Sequence, residues 1–303
     1  MPLKIAISGS TGLVGTAVSG HFKAQNAEII PVVRSVSQAS SAAKTIVMDI
    51  KHQTIDTKGL EGLDAVIHLA GANIAGQRWD DAYKTEILLS RVESTKLISN
   101  ALARVEEPPK VFICASAIGW YGNGGADKEF VESDLPAMDF LGDVCHQWET
   151  ATQTARERGI RVVTLRIGAV LSRKGGAVEK MWVPFSLGLG GRLGDGKQMF
   201  SWIALDEIPL IIDFIIRNEL ILGPVNVTAP NPVTNAEFTR VFGKVIKRPV
   251  IFPVPAFGAR LMFGEMADAL LLNGARVVPK KLTDAGYKFK YDQVEAALRA
   301  SLK

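Results

Sequence analysis

The sequence predicts an α/β protein, a doubly wound parallel sheet with a smaller, mainly helical C-terminal part, and three observations predict it. Short apolar runs alternate with helix-length stretches over about the first 165 residues. A glycine-rich turn joins the first apolar run to the first helical stretch. After about residue 172 the alternation lapses, and glycines and prolines divide the chain into short pieces.

Leu3 to Ile7 reads as a short apolar strand, Thr11 to Lys23 as a helix opened by glycines, and Glu28 to Val33 as a second strand of the buried type. That is a βαβ opening. Further apolar strands are expected at Thr45 to Met48, Ala65 to Leu69, Val111 to Ala115 and Arg161 to Leu165, with helices over 79–104 and 138–158 between them. Strands separated by helices imply parallel pairing with helices on both faces. Beyond the glycine-rich loop Gly188 to Gly196 the pattern predicts a helix near 206–218 and a strand near 225–228. From Asn235 onward Pro249, Pro253, Pro255, Gly264 and Pro279 punctuate short helices. The expected division is a nucleotide-binding domain of 1–172 with about 203–229, and a smaller substrate-side domain of 173–202 and 230–303.

The chain has 303 residues, 47% of them hydrophobic, which is ample for a buried core. Its longest apolar stretches are cut by charges such as Asp213 and Arg217, well short of the roughly 20 residues a membrane helix needs. The N-terminal run leads into glycines rather than a cleavage site, so secretion is not expected. Two cysteines, Cys114 and Cys145, form no disulfide framework, and a cytoplasmic setting is expected. Four histidines without ligand spacing give no metal site. A net charge of +4 is spread along the chain, and the basic run Lys280 to Lys290 reads as a solvated strand rather than a nucleic-acid surface. The partner expected is a small-molecule substrate, without nucleic acid or membrane, and a homodimer stays open.

Between the first strand and first helix stands Ser8-Gly9-Ser10-Thr11-Gly12-Leu13-Val14-Gly15. In that position Gly9, Thr11, Gly12, Leu13, Val14 and Gly15 can hold a dinucleotide pyrophosphate on backbone N–H groups and a helix N-terminus. No lysine follows Gly15, which excludes a GxxxxGK[ST] phosphate loop. The second strand ends in Val33-Arg34-Ser35 where an NAD site would carry a carboxylate. A guanidinium there can clamp a 2′-phosphate, so NADP is the expected cofactor, held by Arg34 and Ser35.

These residues, with Asp64 to Gly71 and Ala115 to Gly122, resemble the extended short-chain dehydrogenase/reductases. Gln77-Arg78-Trp79, Ser90-Arg91, Trp148-Glu149, Val183 to Gly191, Ser201-Trp202-Ile203, Asn235 to Phe238 and Leu270 to Ala297 resemble the atypical branch named epimerase family protein. The resemblance implies a Rossmann domain that binds NADP and a small C-terminal domain of unknown function. It further implies cofactor contacts from Leu69, Ala70, Gly71, Glu86, Arg91 and Val170, with His68 packed beneath the cofactor. Extended reductases use a Tyr-x-x-x-Lys pair, a serine and an asparagine. Anchored on Glu149, this chain has Leu141 and Cys145 at the pair; four residues before Thr95 in the N-x-x-x-T pattern it has Arg91 at the asparagine; and counted back from Tyr121 its serine, Ser116, stands one residue early. Ser116 is the catalytic candidate, as a donor to substrate. Glu86, on the same helix as Arg91, is expected to orient it.

The implied function is an NADP(H)-dependent oxidoreductase or epimerase of a small, sugar-like or anionic substrate. The alternative is a non-catalytic NADP(H)-binding regulator or sensor that acts through a protein partner.

Overall fold

A computed structural model of the chain describes residues 2–34 and 44–302. The elements begin with β1 (Lys4–Ser8), α1 (Leu13–Ala24), β2 (Glu28–Val33), β3 (Ile46–Asp49), β4 (Thr54–Ile55), β5 (Ala65–His68), α2 (Asp81–Leu102) and β6 (Val111–Ala117). There follow β7 (Gly125–Phe130), α3 (Phe140–Thr150), α4 (Gln153–Glu157), β8 (Arg161–Ile167), β9 (Ala169–Leu171), α5 (Gly176–Ser186), β10 (Met199–Phe200), β11 (Trp202–Ala204), α6 (Glu207–Arg217) and β12 (Gly223–Val227). The remainder is β13 (Val233–Thr234), α7 (Asn235–Ile246), α8 (Ala256–Phe263), α9 (Glu265–Ala267), a π-helical turn at Asp268–Leu272, β14 (Ala275–Val277), α10 (Lys280–Asp284) and α11 (Val294–Ser301).

Eight strands form the main sheet in the order β12-β8-β6-β5-β1-β2-β3-β4. Neighbours pair in parallel except β3 with β4. From β1 the chain winds to β2 and β3 on one side and to β5 and β6 on the other, so the crevice between β1 and β5 is a topological switch point. Apolar side chains fill both faces, as the unbroken strand runs require. Phe112, Leu102 and Trp148 belong to one core, and Phe22, Ile211 and Ile215 to the other. A third core, with Trp202, Phe238, Phe242 and Leu298, serves the smaller part. Among the described residues no helix is long and apolar enough to cross a membrane.

Two expectations change. The helix expected over 138–158 is two helices, α3 and α4, with the break at Ala151 and Thr152. There the Thr152 hydroxyl donates to Glu149 O (2.7 Å), a local bond that competes with helical continuation. The basic run is no solvated strand: Tyr287 and Phe289 turn inward against Phe214 and each other, while Lys288 and Lys290 stay exposed. The fully buried carboxylate of Glu207, opening α6, accepts from Tyr287 Oη (2.6 Å) and from the amides of Lys290 and Tyr291. These bonds tie the 287–291 segment to α6 on the main sheet.

Candidate functional site

The switch point is shaped by glycines. Gly9 has φ +70°, in the left-handed region, and a Cβ there would stand 2.9 Å from Ala70 N and from Leu69 C. A Cβ on Gly15 would lie 2.0 Å from Gly9 O, so only glycine lets α1 enter this close to the turn. Gly12 differs: its Cβ would meet only Gly9 O, at 3.3 Å, and it and Thr11 are exposed. Gly12 is also the N-cap of α1, in extended conformation, and no side chain caps the helix. The amides of the first turn, Leu13 and Val14 among them, therefore face the open crevice with the positive end of the helix dipole behind them. The arrangement suits a diphosphate.

Around this cradle the structure gathers most of the expected contacts. Leu69, Val14 and Val170 are partly buried against the same core, and Gly175 brings the start of α5 against Leu13, a Cβ there lying 3.3 Å from Leu13 Cδ1. Arg91 of α2 runs beneath Gly71. Its Nη1 donates to Ile87 O (2.8 Å), its Nη2 to Ala72 O (2.9 Å), and its guanidinium lies 5.1 Å from the Trp148 ring. Burial lowers its hold on the proton below that of a free arginine. Two carbonyls and an indole orient Arg91. Glu86 does not, because residues five apart lie on different sides of a helix, and it stands exposed on the outer face of α2. Arg34 is exposed at the end of β2, and Ser35 lies outside the described residues.

His68, at the end of β5, is fully buried below the cradle. Ser94 Oγ gives its proton to Ser90 O (2.7 Å), so His68 Nε2 donates to Ser94 Oγ (3.0 Å) and Nδ1 accepts from the Ser8 hydroxyl. Burial pulls its pKa down to about 4, which keeps the ring neutral. The imidazole is a brace between β1, β5 and α2.

At the ends of β6 and β8 lies a buried polar network. Glu149 of α3 accepts from Ser116 Oγ (2.8 Å) and, through both oxygens, from Arg166 Nε (2.8 Å) and Nη2 (3.1 Å). Arg166, 2% exposed, stacks 3.7 Å from the Trp120 ring and donates to Tyr121 Oη (2.9 Å), which donates to Asn226 Oδ1 (2.7 Å). Burial works against the Arg166 charge, and its bonds to Glu149 outweigh that. Ser116, 3% exposed, is thus committed to a carboxylate rather than open to a substrate. Cys145 Sγ meets Ala117 O at 3.5 Å, and burial pushes its thiol up to about 12. Burial also raises the Tyr121 phenol to about 12. At neutral pH neither gives up its proton. A Cβ on Gly119 would lie 3.1 Å from Leu141 Cβ, so α3 presents Leu141 and Cys145 side by side at this end.

Sequence reasoning missed the Glu149–Arg166–Tyr121–Asn226 network. Its signal was Arg166 itself, a lone charge between Leu165 and Ile167 in an apolar strand. It also missed Lys180 Nζ donating to Ala75 O (2.7 Å), which joins α5 to the loop after β5 and has no sequence signal.

Residues 5–227 match the NAD dependent epimerase/dehydratase family, and residues 254–301 match a domain of unknown function (DUF1731). An epimerase family protein of Mycobacterium bovis is 40% identical over 294 residues, covering 97% of this chain and 96% of that one. The crystal structure of human epimerase family protein SDR39U1 (isoform 2) with NADPH aligns with a TM-score of 0.89 at 30% identity, over 99% of each chain. That of the nucleoside-diphosphate sugar epimerase from Corynebacterium glutamicum aligns at 0.81 and 33% identity, over 100% of this chain and 58% of that one.

Proposed function

The chain belongs to the NAD dependent epimerase/dehydratase family, and from that premise we propose that it is an NADP(H)-dependent oxidoreductase or epimerase of a small-molecule substrate. The cradle carries the reading: Gly9 and Gly15 admit no side chain, and Gly12 leaves the uncapped amides of α1 open to a diphosphate. The NADPH in the human relative's crystal structure supports the same ligand here. In this reading Leu13 and Val14 bind the pyrophosphate beside Thr11, and Arg34 with Ser35 takes the 2′-phosphate. Leu69, Ala70, Gly71, Arg91 and Val170 flank the rest of the cofactor. A bound nicotinamide supplies or accepts a hydride at C4.

The chain's own residues position and exclude water rather than move protons. Ser116 anchors the Glu149 network, and Tyr121 and Cys145 keep their protons. Proton transfer then falls to the substrate or to water. That same observation favours a second reading, an NADP(H)-binding sensor that acts through a partner protein. The expected substrate is small and sugar-like or anionic, with Arg91, packed beneath Gly71, as its cationic contact.

A screen of purified protein with NADPH against carbonyl compounds and nucleotide sugars separates the two. Turnover that is lost in Arg91→Ala while NADPH still binds supports the enzyme. Tight NADPH binding without turnover on any class supports the sensor, and absence of NADPH binding refutes both.

A further inference from the structure

On the outer side of the smaller part, the 188–196 loop and the segment 248–254 are held together by their backbones. Val254 N donates to Arg192 O (2.9 Å), and Gly194 N donates to Val254 O (2.9 Å). Helix α7 closes the third side, where a Cβ on Gly196 would come within 2.8 Å of Ala236 Cβ. Between them opens a cavity of about 400 Å³. Val250, Ile251, Pro253 and Ala236 give it apolar walls, and the exposed Arg192 and Arg240 supply its polar groups.

Those polar groups lack partners. No acidic side chain lines the cavity, and neither guanidinium has a hydrogen bond or ion pair among the described residues. Neighbouring arginines are engaged: Arg248 Nε donates to Ser186 O (2.8 Å), and Arg260 pairs with Asp268 (2.8 Å). Thr239 lines the cavity with its apolar side, its hydroxyl oxygen being closed off from solvent.

We infer that this cavity is a ligand site for a phosphate monoester with a compact apolar substituent, separate from the cofactor cradle. Two guanidiniums balance the two charges of the phosphate, and their forks match its free oxygens. The substituent rests on Val250, Ile251 and Pro253. A carboxylate offers one charge and two oxygens and fits less well. The volume suits a small ligand. The same chemistry is carried by a soluble phosphate ester and by the headgroup of phosphatidic acid.

The test is titration calorimetry at low salt with phenyl phosphate and benzoate, alongside sedimentation with phosphatidylcholine vesicles with and without phosphatidic acid. Phenyl phosphate should bind one to one, at least tenfold tighter than benzoate. Arg192→Gln and Arg240→Gln should each weaken it tenfold or more, while Arg34→Asp leaves it unchanged. Vesicle binding that needs phosphatidic acid and both arginines assigns the site to the lipid headgroup, and phenyl phosphate binding without it assigns the soluble ester. Absence of phenyl phosphate binding at millimolar concentration overturns the inference, as does binding indifferent to both arginines.

Discussion

Replacing Gly12 and Gly15 by alanine separates the two jobs of the cradle. The Gly12→Ala methyl points into the crevice, with only Gly9 O nearby at 3.3 Å. The backbone there, φ −74° and ψ 173°, is open to any residue. Alanine is a poorer N-cap than glycine by about 1 kcal/mol at most. The stiffer unfolded chain returns about 0.4–1 kcal/mol, so stability should stay within about 0.5 kcal/mol of the original. NADPH, however, is kept off the Leu13 and Val14 amides. Two charge-assisted hydrogen bonds at about 1.5 kcal/mol each correspond to roughly hundredfold weaker binding. Gly15→Ala behaves differently, because its Cβ falls 2.0 Å from Gly9 O and 2.8 Å from Ser10 Cα, both backbone atoms that must move. Overpacking of this kind costs about 1–3 kcal/mol, read as a fall of a few degrees in Tm without ligand. Calorimetric titration with NADPH and ligand-free melting on both variants make the assay. Native NADPH affinity in a folded Gly12→Ala protein would refute the reasoning, as would an unchanged Tm in Gly15→Ala.

Three further outcomes are expected. Arg34→Asp should weaken NADP far more than NAD in parallel titrations, and equal loss of both would remove the 2′-phosphate role. Below pH 6.5 the unfolded chain protonates His68 while the folded chain holds it neutral down to about 4. Stability at this site is therefore full above pH 6.5 and falls by up to about 3 kcal/mol towards pH 4. In His68→Asn urea unfolding across that range should lose this share of the slope, and an unchanged slope would contradict it. Glu149→Ala strands the buried Arg166 charge, at a cost of about 3–5 kcal/mol in urea unfolding, whereas Glu149→Leu with Arg166→Met should recover most of it. A single-variant loss below about 1 kcal/mol would show the pair to be solvated.

What was legible in the sequence is what is local. Gly9, Gly12 and Gly15 stand within seven residues, between a strand and a helix, so their geometry follows from spacing alone. The parallel sheet followed from strands too apolar to face water on either side. Arg166 announced a buried cation, but its partner Glu149 is 17 residues away on another element, and only the packing of α3 on β6 and β8 joins them. Ser116 reads as a donor at a strand end until the same packing brings Glu149 to its hydroxyl. The alternation of Lys288 and Lys290 with Tyr287 and Phe289 was visible, whereas the face it turns to Phe214 depends on where α6 lies. Substrate choice is the least local property of all, because the groups at the end of β6 come from four separate elements.

The Glu207 carboxylate has a consequence in time. Its partner Tyr287 follows it by 80 residues, and the amides of Lys290 and Tyr291 follow later still. At a synthesis rate of about 5–20 residues per second, α6 waits roughly 4–16 s before its buried charge can be satisfied. Once β12 is made, the main sheet has its strands in hand but carries an unpaired carboxylate at the mouth of its core. Maturation of the sheet is thereby coupled to the segment from Tyr287 to Tyr291, and a nascent chain stalled before Tyr287 would present chaperones with an unfinished domain whose glycine turn is already made.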